Sequence, residues 1–388
     1  MLLRHLSLRH YRNYVALDVA FQPGLVLLHG ANAQGKTNLL EAIYLLATTK
    51  SSRTRTDSEL ISWAERDPLS PTAFARVVGQ VERGGSEQSL EIVVREGGPE
   101  GQARKRFKLN GIERKASEIV GAVHAVFFSP TDVDLVAGSP SVRRRFLDVM
   151  LCQLDAGYFR ALTRYNRAIV QRNALLRQIR EGSQPAGSLS FWDDQLCEHG
   201  GLVVGCRSGA TEDLARIAAE RHLTLSGGQE RLTVEYRPAL GGVAVEGLAA
   251  GGALAAREAL RRSLAAVRPR ELAAGMSLAG PHRDDLAFSV NEVDATAFGS
   301  RGQQRTATLA MKLAELAHMR GQSGEQPILL LDDATSELDP PRREAILRAA
   351  AEGQQTFVTS ADGAGAGEFS AAAQRWEVAR GELRLMED

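Results

Sequence analysis

Two short stretches carry residue types suited to holding a nucleoside triphosphate. The first, Gly30-Ala31-Asn32-Ala33-Gln34-Gly35-Lys36-Thr37, fits G-x-x-x-x-G-K-S/T, the phosphate-binding P-loop. Its glycines let successive backbone N–H groups turn inward around phosphate oxygens. Lys36 would reach the β- and γ-phosphates, and the Thr37 hydroxyl would bind Mg²⁺. The second, Ile328-Leu329-Leu330-Leu331-Asp332-Asp333, is four apolar residues followed by two carboxylates, a Walker B pattern. Asp332 would hold Mg²⁺, directly or through water. Asp333 would sit near the γ-phosphate and orient or deprotonate the attacking water.

The chemistry requires particular elements around these residues. Leu25 to His29 is an apolar run of strand length ahead of the loop. Asn38 opens a stretch with apolar residues at 39, 40, 43 and 46, the spacing of a helix. Strand, glycine loop and helix follow in that order, and the helix start adds its positive dipole end to the loop. Ile328–Leu331 reads as a buried strand that delivers its terminal carboxylates to the same pocket.

Ser336-Glu337-Leu338-Asp339 resembles the D-loop of ABC-type ATPases, whose heads complete their site with a signature loop from a second subunit. Two segments compete for that part. Leu225-Ser226-Gly227-Gly228-Gln229 spells the transporter signature letter for letter, and Ser300-Arg301-Gly302-Gln303-Gln304 matches it more loosely. A signature must open a helix, whose N–H groups and dipole meet phosphate. Leu232, Val234 and Tyr236 alternate as in a strand, whereas Leu309, Ala310, Leu313 and Leu316 recur as in a helix. The Ser300 copy, with Ser300, Gly302 and Gln303 as nucleotide contacts, is therefore the expected signature.

The 388 residues suggest two or three lobes, and an apolar share of 44% is that of an ordinary globular chain. No run of eighteen apolar residues occurs, so no membrane helix is expected, and charges break the first residues too early for a signal peptide. Cys152, Cys197 and Cys206 lack metal-ligand spacing, which points to the cytoplasm. Lys+Arg and Asp+Glu both number 47, so any DNA contact must come from local patches.

The expected architecture is α/β: an ABC-type P-loop ATPase head with an antiparallel β-subdomain and an inserted helical arm lobe. Residues 1–125 form the first part of the head, 126–275 the mainly helical arm, and 276–388 the rest of the head. Asn110-Gly111 between short strands is the strongest hairpin signal in the β-subdomain, and Gly97-Gly98-Pro99 turns the chain before it. Ser141 is a candidate N-cap for the first arm helix.

Tyr11-Arg12-Asn13-Tyr14, Gly30 to Ile43, Phe128-Ser129-Pro130, Gly138 to Asp148, Gly280 to Leu286, Ser300 to Thr306 and Leu330 to Asp339 follow one another in this order. On these segments, and nearly end to end, the chain resembles the RecF family of bacterial recombination mediators, relatives of the SMC and Rad50 ATPases. Thr131 stands where a Glu is expected and Ala334 where a Val is more usual. Thr359-Ser360 occupies the place of the transporter switch histidine. The resemblance implies an ATP- and Mg²⁺-dependent DNA-binding protein in which Arg12 joins Gly30 to Asn38 at the nucleotide. ATP would close two copies into a homodimer on double- and single-stranded DNA at gaps and junctions. RecR, and indirectly RecO and RecA, would be its partners, with slow hydrolysis releasing DNA.

Arg143-Arg144-Arg145 sits in the first turn of a helix, where cations oppose the dipole. Asp148 is the expected partner of Arg144 or Arg145. Phosphate contact and a structural ion-pair network both remain open for the cluster. Arg104-Lys105-Arg106 with Lys108, and Arg160, Arg164 and Arg167, read as solvated faces that reach DNA only through their sum. His282-Arg283-Asp284-Asp285 reads as a structural polar turn, with a metal site as the alternative. Two other functions compete. A transporter ATPase subunit is opposed by the misplaced Leu225–Gln229 copy and the long insert, and a nucleotide kinase by the D-loop. A long-coil SMC protein is excluded by chain length.

Overall fold

The computed structural model describes residues 1–54, 56–65, 73–96, 103–241, 248–333, 339–361 and 374–386. The Gly97–Pro99 turn, Ala334 and the Ser336–Leu338 part of the D-loop lie outside them. The chain divides into two compact units, Met1–Asp132 with Glu315–Asp388, and Val133–Ala314.

The first unit holds strands β1 (Leu2–Tyr11), β2 (Tyr14–Ala20), β3 (Gly24–His29), β4 (Phe74–Arg83), β5 (Ser86–Arg95), β6 (Arg104–Leu109), β7 (Ile112–Arg114) and β8 (Ala125–Phe128). It also holds helix α1 (Lys36–Thr48) and the single turn α2 (Ala116–Ile119). The second unit contains α3 (Asp134–Ala137), α4 (Pro140–Leu154), α5 (Ala156–Arg180), α6 (Ser190–Leu225), β9 (Leu232–Arg237), α7 (Leu248–Ala274), β10 (Asp285–Val290) and β11 (Val293–Asp294). Helix α8 (Arg301–Ser323) crosses the division. The first unit then resumes with β12 (Ile328–Leu331), α9 (Pro340–Glu352), β13 (Gln355–Ser360), β14 (Gln374–Ala379) and β15 (Glu382–Leu385).

Two six-stranded sheets build the first unit. One is ordered β2-β1-β4-β5-β6-β7, with antiparallel neighbours throughout. Its Asn110-Gly111 turn has both residues at positive φ, 51° and 78°, as a type I′ hairpin demands. The other sheet is ordered β15-β14-β3-β13-β12-β8. Its β8, β12, β13, β3 and β14 run parallel, and β15 closes an antiparallel edge. A parallel strand covered on both faces reads as a continuous apolar run, and β12 is buried at all four positions. Helix α1 lies between the sheets in sequence and in packing: Leu39, Leu40, Ile43 and Leu46 join β1, β4 and β13 residues in one core.

In the second unit α5, α6 and α7 pack around Tyr165, Ile169, Leu196, Val204 and Leu260. Gly200 and Gly201 let α6 approach α7, since a Cβ at Gly201 would lie 2.7 Å from Arg257 Cα. The three-stranded sheet β11-β10-β9 completes this unit.

Pairing moves two expected boundaries. β8 pairs with β12, so residues from 126 to Asp132 stay with the first unit; β10 pairs with β9, so residues from 276 to Ala314 stay with the second. The cap of α4 also differs. Ser139 is its N-cap and Pro140 its first helical residue, so Ser141 lies within the helix. A proline has no N–H to lose at that position, and its fixed φ suits the first turn. No described helix is long and apolar enough to cross a membrane.

Candidate nucleotide site

β3 ends at His29 and α1 begins at Lys36, so Gly30 to Gly35 forms the loop between a buried strand and a helix start. Each framing glycine is required by its surroundings. Gly30 has φ 153°, and a Cβ there would fall 2.3 Å from the Val378 carbonyl oxygen on β14. Gly35 has φ 117°, and its Cβ would fall 2.5 Å from Asn13 Nδ2. Ala33, at φ 65°, also adopts the left-handed turn.

The loop is held from outside by residues far away in sequence. Asn13 Nδ2 donates to Gln34 O at 2.9 Å, and Tyr14 Oη donates to Gly35 O at 2.9 Å. Arg380 N donates to Gln34 Oε1 at 2.8 Å, and Gly381 N to Gln34 O at 3.2 Å. Asn38 Nδ2 donates to Asn13 Oδ1 at 2.8 Å and Asn38 Oδ1 accepts from Arg53 at 3.2 Å. Lys36 is buried, with Nζ donating to the carbonyls of Gly30 and Ala31. The ammonium is therefore curled inside a loop of its own backbone, where phosphate oxygens could replace the two carbonyls.

The acidic strand end meets the loop at Thr37. Thr37 Oγ1 donates to Asp332 Oδ1 at 2.8 Å. The same carboxylate oxygen accepts from Thr359 Oγ1 at 3.0 Å, and Thr359 Oγ1 accepts from Asp333 N at 2.9 Å. Sheet order explains the bridge. β13 lies between β3 and β12, and Leu331 pairs with Val358, so Thr359 arrives level with Asp332. Burial raises the Asp332 carboxyl pKa above its ordinary value, against the hydrogen bonds of Thr37 and Thr359, which lower it. Asp333 has φ 49°, an uncommon backbone for a non-glycine residue. A hydroxyl beside a carboxylate is a hard-oxygen donor set, and it fits Mg²⁺.

Arg12 is anchored by Glu41 and the Glu59 carbonyl. Its Nε and Nη2 each donate to a Glu41 oxygen at 2.9 Å, and its Nη1 donates to Glu59 O at 3.0 Å. Burial disfavours the guanidinium charge, but Glu41 outweighs that cost and raises its pKa. These bonds use three of the five guanidinium N–H groups and leave one on each Nη for a further acceptor.

The Ser300 loop lies in the second unit. Ser300 directly precedes α8, Gln303 N donates to Ser300 Oγ at 3.2 Å, and Ser300 N donates to Gln303 Oε1 at 2.9 Å. This reciprocal capping box opens the helix, and Ser300 and Gly302 are exposed. Leu225–Gln229, by contrast, ends α6 and leads into β9.

The arginine cluster has structural partners. Arg143 is buried and donates to both Asp285 oxygens, at 2.6 and 3.0 Å, while Arg144 donates to Asp284 O at 2.7 Å. Asp148 acts on Arg144 as a nearby charge. It accepts hydrogen bonds from Arg207, 59 residues away, at 2.8 and 3.0 Å, and from Tyr158. Asp284 is fully buried and accepts from Arg207, Tyr236 and Ala239 N, so the 282–285 turn is a polar knot within the second unit. In the first unit, Lys105 donates to Asp57 and Thr49 O, and Lys108 lies 3.6 Å from Glu91.

Asn13, Tyr14, Thr359, Arg380 and Gly381 complete the site without a motif of their own. Tyr11–Tyr14 carried a signal in the sequence only as part of the family resemblance, and Thr359 only as the residue in the place of the switch histidine; Arg380 and Gly381 carried none.

Residues 2–374 match the family model described as the RecF/RecN/SMC N terminal domain. A DNA replication and repair protein RecF from Chloroflexus aggregans is 41% identical over 99% of both chains. A solved structure of the recombination mediator protein RecF with ATP, in the RecFOR pathway, is 31% identical, with a TM-score of 0.86 over 99% of this chain and 97% of that one. An Smc head bound to the C-winged helix domain of ScpA is 16% identical, with a TM-score of 0.52 over 99% of this chain and 97% of that chain, and shares the fold.

Proposed function

The chain belongs to the RecF family of DNA replication and repair proteins, and from that premise we propose that it is an ATP-closed clamp on DNA. The observation that carries the reading is the 2.8 Å contact between Thr37 and Asp332, which joins the glycine loop to the acidic strand end. Gly30, Ala31, Asn32, Ala33, Gln34 and Gly35 would cradle the phosphates, with Lys36 exchanging the Gly30 and Ala31 carbonyls for phosphate oxygens. Thr37 and Asp332 would hold Mg²⁺, which supplies charge neutralisation at the β- and γ-phosphates. Asp333 would accept the proton of the attacking water.

Ser300, Gly302 and Gln303 are the part contributed in trans. Their exposed helix start presents N–H groups and a dipole end suited to the γ-phosphate of a second copy. ATP then acts as the bridge between two copies of the chain, and its hydrolysis removes the bridge. Affinity for ATP and for the second copy are linked, so each raises the other. DNA at gaps and junctions is the proposed cargo, the mediators RecR and RecO and the recombinase RecA the proposed partners, and the cytoplasm the proposed setting. DNA-dependent stimulation of hydrolysis belongs to the same proposal.

Sedimentation with and without ATP tests it. The expected result is a dimer with Mg²⁺·ATP, and a monomer without it or in Lys36→Ala. An unchanged monomer in saturating ATP would overturn the clamp.

A further inference from the structure

The Leu225–Gln229 turn, the competing candidate for the signature, leads directly to a residue bonded to the Ser300 loop. Gly227 and Gly228 have φ 65° and 81°, and Gly228 N donates to Leu223 O at 2.8 Å, a glycine-type stop for α6. Ser226 Oγ then accepts from Glu230 N at 3.2 Å and fixes the next residue. Glu230 Oε1 accepts from Gln303 Nε2 at 2.8 Å, and His222 Nε2 lies 3.3 Å from Glu230 Oε2. All these residues belong to the second unit.

The consequence concerns an amide that could face two ways. A glutamine side chain has nearly the same shape when its oxygen and nitrogen are exchanged, so its hydrogen-bond partners decide its orientation. A carboxylate only accepts, so Glu230 selects the NH₂ end of Gln303. That leaves Gln303 Oε1 for Ser300 N, 2.9 Å away, which is half of the capping box that opens α8. Were the amide reversed, two donors would face each other at Ser300 and the first turn would lose its clasp.

We propose that Glu230 is a positioning residue for the signature loop. It locks the Gln303 amide, and through it the Ser300 hydroxyl and the first N–H groups of α8, in the arrangement that receives the γ-phosphate of a second copy. Leu225–Gln229 is the turn that places Glu230. This inference rests on the clamp reading above.

Sedimentation of wild type, Glu230→Gln, Glu230→Asp, Glu230→Ala and Ser300→Arg in Mg²⁺·ATP tests it, with binding of a fluorescent ATP analogue and the melting temperature read for each. Glutamine keeps the length and an accepting oxygen, so Glu230→Gln should dimerise within about twofold of wild type. Aspartate keeps the charge but falls a methylene short. Glu230→Asp and Glu230→Ala should each weaken the ATP dimer by at least about fivefold, the value of one ordinary hydrogen bond. Analogue binding to the P-loop, read at protein concentrations low enough to keep every variant monomeric, should be unchanged in all three. A role in net charge or general packing would instead rank Asp above Gln, and that order refutes the proposal, with Asp and Gln available should Ala fold poorly. Wild-type dimerisation by Glu230→Asp and Glu230→Ala, with Ser300→Arg monomeric, removes Glu230 while leaving the clamp standing. A monomeric wild type removes the clamp and the role of Glu230 together.

Discussion

Replacing Thr359 by valine deletes one hydroxyl and keeps the shape of the side chain. That hydroxyl donates to Asp332 Oδ1 at 3.0 Å and accepts from Asp333 N at 2.9 Å. The first bond involves a half-buried carboxylate and contributes about 1.5–3 kcal/mol, and the second, between neutral groups, about 1 kcal/mol. Valine returns about 0.8 kcal/mol, because its extra methyl is buried at a position only 4% exposed. The net loss is about 2–3 kcal/mol, or roughly 4–12 °C in the melting temperature of a unit of about two hundred residues. Thr359→Ser keeps both hydrogen bonds and loses one methyl, so it should cost about 1 kcal/mol. Thermal unfolding of the three proteins side by side, without nucleotide, reads the difference. Hydrolysis should follow the same order, since Asp333 loses its backbone anchor in Thr359→Val. If valine melts within a degree of threonine, or serine lies below valine, the hydroxyl bridge does not organise the acidic strand end.

Asp333→Asn should slow hydrolysis by at least about a hundredfold, the low end of general-base effects, while the ATP dimer persists in sedimentation. Arg143→Ala should lower stability by about 3 kcal/mol by stranding Asp285, yet leave the salt slope of DNA binding unchanged; a slope smaller by about one would make Arg143 a phosphate contact. Burial, with Arg283 nearby, lowers the His282 pKa from 6.5 to about 4. The unfolded chain therefore binds the extra proton first, and this group's stabilising contribution is complete above 6.5 and falls as pH drops towards 4. His282→Gln should consequently lose about 3 kcal/mol less than wild type between pH 7 and pH 4 in urea unfolding. Equal losses would show that His282 does not set the acid limb.

What the sequence disclosed about the site was local. Gly30–Thr37 and Asp332-Asp333 are contiguous patterns tied to one strand end each, and periodicity alone told Ser300, which opens a helix, from Ser226, which ends one. The supports were hidden because they come from distant segments. Arg380 and Gly381 reach Gln34 across nearly the whole chain, on a β14–β15 hairpin that no motif marked. Thr359 was visible only as the residue standing where a histidine was expected, and its bridging task follows from β13 lying between β3 and β12. Asp148 shows the limit of helical spacing as a guide. An i+4 neighbour was available, but a buried guanidinium on another helix, Arg207, has a greater need of the carboxylate.

The central claim is that one copy's P-loop and another copy's Ser300 loop make one site. Mixing Lys36→Ala with Ser300→Arg tests it most directly. Each protein alone lacks one half of every site and should stay monomeric in Mg²⁺·ATP. Together they can build one whole site, from the P-loop of the Ser300→Arg copy and the Ser300 loop of the Lys36→Ala copy. Analytical ultracentrifugation should therefore show a mixed dimer that appears with ATP and vanishes without it. A mixture that remains monomeric, while wild type dimerises, would contradict a site shared between two copies.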